Sequence, residues 1–325
     1  MNSAPRLSIG LPVYNGESTL GESLDALLGQ TYEDFELIIS DNASTDSTAD
    51  VCRRYAKQDS RIRYARQPRN IGRVPNHNFV IDQARGELFK WAAGDDLYGR
   101  DLLKRCVDAL DAHPEVVLAH SWSALVDRCG TIVKLVEYPV ATDAPRAPER
   151  FRSMLFDGWG DDSYGVIRTD VLRRTPLHGS YLNADRTFST EIALHGPFYQ
   201  VPEWLFFRRD SSARVTPFTV RGRCAYMDPR RADRLRHPVA RLYAEYGWAY
   251  VSMIKRAPLS AAERLECYRY LAQWTASRAL PVANRIIRRK PLPFEAEISG
   301  KPQTPAGQPL PSVDELVPGR QGRSS

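Results

Sequence analysis

The sequence contains no apolar run approaching the roughly 18 residues that a membrane-spanning helix requires. It also lacks the basic start and apolar core of a secretory signal peptide, because the apolar segment 7–11 directly follows a short polar stretch. The five cysteines are odd in number, scattered and without the spacing of a metal site or a disulfide framework. These absences argue against an integral membrane protein and favour a reducing compartment. We therefore expect a cytoplasmic protein that is at most peripheral on the inner face of the membrane.

Acidic residues are scarce in the segment 200–256. It holds 12 Lys and Arg against 5 Asp and Glu, a local excess of +7 beside a net charge of +6 for the whole chain. Most of these basic residues are arginines, whose planar guanidinium suits phosphates, so the segment is consistent with an acidic ligand or an anionic lipid surface. A solvated basic face is the alternative. No recognised nucleic-acid module accompanies the charge, and we predict no nucleic-acid partner.

Apolar segments alternate with helical patterns over the first third of the chain. Strands are predicted over 6–14, 35–40 and 61–66, and helices over 18–29 and 99–111. Consecutive parallel strands cannot be joined by tight turns, so this alternation indicates crossover helices. We predict an α/β fold with a mostly parallel central sheet flanked by helices.

The later part of the chain is predicted in less regular pieces. A hairpin turns near Cys129 and Gly130, a helix spans 183–195, and the segment 229–289 is helical and partly amphipathic. Its aromatic residues lie among arginines, which suits either a membrane surface or packing against the main domain. The tail 291–325 contains 7 Pro and 4 Gly in 35 residues, and we predict that it is disordered.

Two adjacent carboxylates follow the strand predicted between Gly86 and Gly94. Asp95 and Asp96 would lie at the carboxyl edge of the sheet, where open α/β folds bind their ligands. Adjacent carboxylates repel each other, so the pair is most stable facing a cation such as Mg²⁺ or Mn²⁺ shared with a phosphorylated substrate. The alternative is that Asp96 caps the next helix.

A second polar cluster, residues 41–46, follows the strand 35–40. Ser44 or Asp46 would cap the helix that comes next, whereas Asp41 has no capping role and could bond a nucleotide base or ribose. Further along, Pro75 is predicted at the first position of a helix that ends at Gly86 in the left-handed conformation.

With these pieces in order, the chain resembles the family 2 glycosyltransferases of the type-A fold. The resemblance covers residues 6–130 and continues more loosely to about 209. Its motifs are Leu11-Pro12-Val13-Tyr14-Asn15, Ser40-Asp41-Asn42-Ala43-Ser44-Thr45-Asp46, Asn70-Ile71-Gly72, Ala84-Arg85-Gly86-Glu87 and Phe89-Lys90-Trp91 running into Asp95-Asp96.

The resemblance implies an inverting transfer of a sugar from a nucleotide diphosphate sugar to a carbohydrate or lipid-linked acceptor. Such a transfer is expected in cell-envelope or glycolipid polysaccharide synthesis. Asp95 would hold a divalent metal, Mg or Mn, and Asp185 would be the catalytic base. The family commonly has an aspartate where this chain has Ala93, which puts donor affinity in question. The residues implied to bind the donor are Pro12, Tyr14, Asn15, Asp41, Arg73 and Asp96.

An acceptor hydroxyl is a poor nucleophile, so a carboxylate must take its proton on the face opposite the leaving group. Asp185 lies at the start of a predicted helix, whose dipole should depress its pKa. Helix capping is the alternative role for Asp185, and Glu191 or the pair Asp161 and Asp162 are the other candidate bases. Arg208 and Arg209 could steady the diphosphate or be exposed strand-end charges.

The resemblance also implies a division of the chain. Residues 1–220 would form a glycosyltransferase domain, with a donor half over about 6–130 and an acceptor half over about 131–220. A helical C-terminal extension would follow over 221–290.

Two other functions stay open from the sequence. A sugar nucleotidyltransferase would share the α/β core, but it usually has a glycine-rich basic loop after the first strand, which the segment 15–18 does not provide. A non-catalytic nucleotide-sugar-binding relative is the other alternative, and Ala93 is the feature that favours it.

Overall fold

The computed structural model describes residues 4–127, 129–136, 138–157, 162–209, 219–287 and 313–317. The strands are β1 (Leu7–Val13), β2 (Phe35–Asp41), β3 (Ile62–Arg66), β4 (Leu88–Trp91), β5 (Leu97–Tyr98), β6 (Leu118–Val126), β7 (Ile132–Val136), β8 (Val166–Arg168) and β9 (Phe198–Arg209). The α-helices are α1 (Leu20–Leu28), α2 (Thr48–Gln58), α3 (Arg73–Asp82), α4 (Leu102–Ala112), α5 (Ala147–Phe156), α6 (Thr169–Leu172), α7 (Ala184–His195), α8 (Val220–Met227), α9 (Val239–Arg256), α10 (Ala261–Ile287) and α11 (Val313–Leu316).

One sheet runs through the described residues in the order β3-β2-β1-β4-β8-β6-β9-β5, with β7 paired to β6. The first four strands are parallel, as the alternation of strands and helices predicts. Strand β8 then runs antiparallel to both β4 and β6, and β9 is parallel to β6. The second half of the sheet is therefore mixed. The short strands β5 and β8 have no counterpart in the sequence prediction.

Both faces of the sheet are covered by helices. Successive strand residues point to opposite faces, so Leu37 and Ile39 of β2 belong to the apolar cluster that includes α1 and α4, whereas Ile38 belongs to the cluster that includes α3 and α7. All seven residues of β2 are buried, which is expected of a parallel strand covered on both sides. This three-layer arrangement leaves the carboxyl edge of the sheet as the place where loops can form a site.

The boundaries of α3 differ from the prediction. The helix starts at Arg73, so Pro75 occupies its third position, and it ends at Asp82 rather than at Gly86. Gly86 is not in the left-handed region, since the glycines with positive φ among the described residues are Gly72 and Gly130. A Cβ on Gly86 would lie 2.7 Å from the backbone nitrogen of Ser8, so close packing explains this glycine.

The C-terminal helices pack against the main domain. Tyr250, Met253 and Ile254 of α9 are buried in a cluster with Phe151 of α5 and Leu194 of α7. None of the helices in the described part of the chain combines the length and the hydropathy needed to span a membrane. The predicted limits of the domain and of its two halves stay predictions.

The predicted disorder of 291–325 is wrong for residues 313–317. They form a helical turn in which Val313 and Val317 are 4% and 2% exposed. The N–H of Arg100 donates to the carbonyl of Leu316 at 2.8 Å. The apolar side chains and this bond attach the turn to the core beside α4. The rest of the predicted tail lies outside the described residues.

Candidate active site

A cavity of about 920 Å³ opens at the carboxyl edge of the sheet. Its walls come from the residues that follow β1 and β4, from the start of α3, and from the beginning of the C-terminal extension. This volume lies in the range of sites that bury small molecules and cofactors. Of the predicted site residues, it brings together Pro12, Tyr14, Asn15, Arg73 and Asp95.

Tyr98 fixes the loop that carries Asp95. Its buried hydroxyl accepts a hydrogen bond from the N–H of Ala93 at 2.7 Å and donates to the carbonyl of Ala93 at 2.9 Å. The hydroxyl of Thr19 donates to the carbonyl of Gly94 at 3.0 Å. These side chains hold the backbone of the loop, so the Asp95 side chain is presented from a fixed position.

Arg209, the last residue of β9, is the second support of this loop and lines the cavity. Its Nε donates to the carbonyl of Asp95 at 3.0 Å, and its guanidinium pairs with Glu22 at 2.7 Å. Its backbone N–H donates to a carboxylate oxygen of Asp96 at 3.1 Å. Asp96 is 4% exposed and does not line the cavity, so the structure gives it a role in holding β9 against the loop.

Tyr14 and Asn15 form the turn after β1. Tyr14 is 48% exposed, while the side-chain carbonyl of Asn15 accepts from the N–H of Thr45 at 2.9 Å. The N–H of Asn15 donates to the hydroxyl of Ser44 at 3.0 Å. Ser44 therefore ties the two loops together and does not cap a helix, whereas a carboxylate oxygen of Asp46 does accept from the N–H of Thr48 at 3.0 Å.

Asp41 is fully buried, and the structure does not bring it to the cavity wall. Its carboxylate accepts from the hydroxyl of Tyr64 at 3.0 Å, from Nε of Arg66 at 3.2 Å and from the N–H of Ser44 at 2.8 Å. A contact between Asp41 and a nucleotide stays a prediction, and it would require Tyr64 or Arg66 to move.

Arg73, the first residue of α3, lines the cavity. Its guanidinium interacts electrostatically with the phenol groups of Tyr164 and Tyr226 and with the carboxylates of Asp185 and Asp95. It lies 5.9 Å from the centre of the Tyr226 ring. Arg73 is exposed to the cavity. Desolvation by the surrounding protein alone would lower its pKa, but these neighbours raise the pKa above its usual value, so the group is a permanent cation.

Asp185 does not line the cavity but interacts electrostatically with Arg73. It is the second residue of α7, and its carboxylate accepts from the N–H of Arg186 at 2.9 Å. The predicted depression of its pKa is wrong. Asp185 is exposed to solvent, yet the surrounding protein partly desolvates its carboxylate and raises its pKa. The hydrogen bond from the N–H of Arg186 and the charge of Arg73 lower the pKa by a smaller amount. A raised pKa makes Asp185 a stronger base.

The other candidate bases have structural roles. Glu191 is 4% exposed and forms a paired interaction with Arg256 of α9, with N–O distances of 3.0 and 3.1 Å. Asp162 is 1% exposed and accepts from the hydroxyls of Tyr138 and Ser189. Neither lines the cavity, because these bonds hold them inside the protein. Asp161 lies outside the described residues.

A neutral aromatic cluster beside the cavity was not predicted. His77 lines the cavity and stacks on Trp91 at 4.9 Å, and His178 meets His77 edge-on at 4.4 Å. Burial lowers the pKa of His77 well below its usual value and that of His178 to about 3, so both rings are uncharged. The sequence offered one signal, since His77 follows Arg73 by four residues and therefore lies on the same face of α3.

The family model described as Glycosyl transferase family 2 matches residues 8–133, which include most of the cavity wall. A Campylobacter jejuni protein named GalNAc(5)-diNAcBac-PP-undecaprenol beta-1,3-glucosyltransferase is 30% identical over 213 residues, 64% of this chain and 67% of that protein. The chain belongs to glycosyltransferase family 2. This confirms the resemblance drawn from the motifs.

Other family 2 relatives match a smaller share of their length. A Bacillus subtilis protein named putative glycosyltransferase EpsE is 33% identical over 131 residues, 40% of this chain and 47% of that protein. The chain thus spans about half the length of such curated relatives. Among solved structures, residues 1–349 of TarS from S. aureus have a TM-score of 0.60 at 18% identity, covering 84% of this chain and 72% of that one. This likeness confirms the type-A glycosyltransferase fold.

Proposed function

We propose that this family 2 protein is an inverting glycosyltransferase that moves a sugar from a nucleotide diphosphate sugar to an acceptor hydroxyl. The observation that carries the proposal is the position of Arg73, which interacts with both Asp95 and Asp185 beside one cavity. Diphosphate, sugar and acceptor hydroxyl must meet between a charge-stabilising group and a base, and Arg73 and Asp185 would take these two roles. Tyr14 and Asn15, which line the same cavity, would bind the nucleotide.

The cavity fits a divalent ion that is shared with the donor. Among the described residues there is no group of three or more His, Cys, Asp or Glu that could hold a metal by itself. Mg²⁺ commonly binds through one or two carboxylates together with substrate phosphates and water, and Asp95 would supply that carboxylate. When bound, the ion stabilises the negative charge that develops on the leaving diphosphate.

The residues of the chain would divide the remaining work. Arg73 and Arg209 both line the cavity, and their guanidinium groups can bond phosphate oxygens. Asp185 would take the proton of the acceptor hydroxyl as its oxygen attacks the anomeric carbon from the face opposite the diphosphate. The bond to the diphosphate then breaks as the new glycosidic bond forms, which inverts the anomeric configuration.

The relatives suggest which substrates to test first. TarS of the same fold has been solved in complex with UDP and with UDP-GlcNAc, so uridine diphosphate sugars are the first donors to screen. The name of the Campylobacter relative specifies a sugar chain on undecaprenol diphosphate. A lipid-linked carbohydrate acceptor, and with it a place in cell-envelope synthesis, is therefore part of the proposal.

Donor binding can be tested by thermal stabilisation of the protein. A panel of nucleotide sugars is screened with Mn²⁺ and with EDTA, since a ligand that binds the folded state raises its melting temperature. We expect stabilisation by one donor in Mn²⁺, and loss of that stabilisation in Arg73→Met. Arg69→Met is the matched control, because Arg69 is exposed and does not line the cavity. Stabilisation by a nucleoside triphosphate alone would instead favour a nucleotidyltransferase.

A further inference from the structure

Helix α9 has one buried face and one face turned to solvent. Leu242, Tyr250, Met253 and Ile254 are buried. The opposite side is formed by five residues that follow one another at intervals of three or four positions, which places them on one helical face. We call this face the outer stripe, and it consists of Ala240, Ala244, Trp248, Val251 and Lys255.

Trp248 is the central residue of the outer stripe. It is 62% exposed, although tryptophan is usually well buried in a soluble protein. The ammonium of Lys255 lies 5.1 Å from the centre of its ring. At the neighbouring Gly247, an added Cβ would meet no atom within 4 Å, so no described residue covers the helix there.

The loop before α9 presents a second apolar side chain. Leu235 is 94% exposed and stands between Arg234 and Arg236. The loop is held in place, because Nη1 of Arg241 donates to the carbonyl of Arg236 at 2.7 Å. Nη1 of Arg221 likewise donates to the carbonyl of His237 at 2.9 Å. A fixed loop that exposes leucine between two arginines resembles a membrane-inserting tip.

The segment that holds these side chains carries an excess of positive charge. Residues 228–256 contain seven Lys and Arg and three Asp and Glu. The three acids are engaged within this segment, since Asp228 pairs with Arg230, Asp233 with Arg236, and Glu245 with Arg231 and Arg241. The outer stripe itself carries Lys255 and no acidic residue, and the basic residues of the segment outnumber its acidic ones, so this surface suits an anionic partner.

We propose that the outer stripe and the loop tip at Leu235 bind an anionic lipid surface. Tryptophan and leucine would enter the headgroup region, while the arginines and Lys255 would meet lipid phosphates. A second copy of the chain fits less well, because a two-fold contact through this face would bring two sets of arginines together.

The loop and α9 come directly after residues of the cavity wall in the chain. Tyr226 and Pro229 line the cavity, and the chain passes directly from them into the loop and α9. Membrane binding would therefore hold the cavity near the bilayer, where a lipid-linked acceptor would be found. The role in holding the cavity near a lipid-linked acceptor rests on the proposed function, whereas the binding of an anionic lipid surface does not.

Sedimentation of the full chain with liposomes tests the proposal. We expect binding to vesicles of phosphatidylcholine with about one-third phosphatidylglycerol, weak binding to pure phosphatidylcholine, and release at high salt. The double variant Leu235→Ser with Trp248→Ser should lower the partition coefficient about tenfold or more, as should Arg234→Gln with Arg236→Gln. Leu265→Ser is the control, since Leu265 is 63% exposed on α10 and outside the outer stripe.

Three results would overturn the proposal. The first is equal partitioning onto neutral and anionic vesicles. The second is wild-type binding by either double variant. The third is a concentration-dependent dimer in gel filtration that Trp248→Ser abolishes, because a second copy would then cover the stripe. Transfer to a water-soluble acceptor is measured alongside. If this transfer persists in Leu235→Ser with Trp248→Ser, a failure of membrane binding can be distinguished from a failure of the proposed function.

Discussion

Replacing Asp185 by asparagine is the sharpest test of the proposed base. The change removes the basic oxygen but keeps the shape of the side chain. Asparagine can still accept the hydrogen bond that the N–H of Arg186 donates at 2.9 Å, so the start of α7 should be preserved. We expect a loss of stability below about 1 kcal/mol and an unchanged affinity for the donor, because Asp185 does not line the cavity that is proposed to bind it.

The expected loss of activity is much larger. General-base catalysis typically contributes about 10²- to 10⁴-fold, so the rate of glycosyl transfer should fall by that factor. The pKa of Asp185 is raised by desolvation, and its carboxylate must be ionised to accept a proton. The wild-type rate should therefore fall as the pH drops through this raised pKa, and the Asn variant should lose that dependence.

Glu191→Gln is the matched control. It neutralises a carboxylate on the same helix, but one that is bound to Arg256. We expect a lower unfolding free energy, by about 1–3 kcal/mol because Arg256 is partly exposed, and a nearly normal transfer rate below the melting temperature. Near-normal transfer in Asp185→Asn, or a large loss in Glu191→Gln alone, would refute the assignment of Asp185 as base.

Two further changes test the support of the site and of the fold. Tyr98→Phe removes the hydroxyl that bonds both backbone groups of Ala93. We expect the unfolding free energy to fall by about 1–3 kcal/mol and the affinity for the donor to fall as well. An unchanged donor affinity in calorimetry would contradict a role of Tyr98 in placing Asp95. Burial alone would raise the pKa of Glu36, but hydrogen bonds from two arginines and a serine lower it. The ionised carboxylate of Glu36 therefore stabilises the fold at neutral pH, and this stabilisation is lost as the pH falls through the depressed pKa. Glu36→Gln should have a lower melting temperature than the wild type at pH 7, and its melting temperature should fall less on acidification.

The first half of the sheet was predictable because its signals are local. Parallel strands buried on both faces have apolar sequences, and each is followed by an amphipathic helix. The carboxyl edge follows from that topology, which is why Asp95 was expected there, whereas the position of Tyr14 and Asn15 on the same cavity was implied by the family resemblance. The mixed second half was not predictable, because β5 and β8 contain two and three residues and are defined by pairing with distant strands.

The environment of each carboxylate could not be predicted from the sequence. Asp95 and Asp96 are neighbours, yet one faces the cavity and the other bonds the backbone of Arg209. The helix dipole suggested a depressed pKa for Asp185, but the surrounding protein has the larger and opposite effect. Glu191 is bonded to Arg256, a partner far away in the chain that the sequence does not reveal. These outcomes depend on contacts between residues far apart in the chain.

The release of nucleoside diphosphate from the donor identified in the thermal screen tests the central claim most directly. Initial rates are measured for the wild type and for Asp95→Ala, each in Mn²⁺ and in EDTA, with the melting temperature as a check on the fold. We predict metal-dependent release by the wild type and a loss of several kcal/mol of transition-state stabilisation in the variant, which is a fall of about 10³-fold or more. Turnover that survives both Asp95→Ala and EDTA would contradict the assignment of this cavity and of Asp95 to the donor diphosphate.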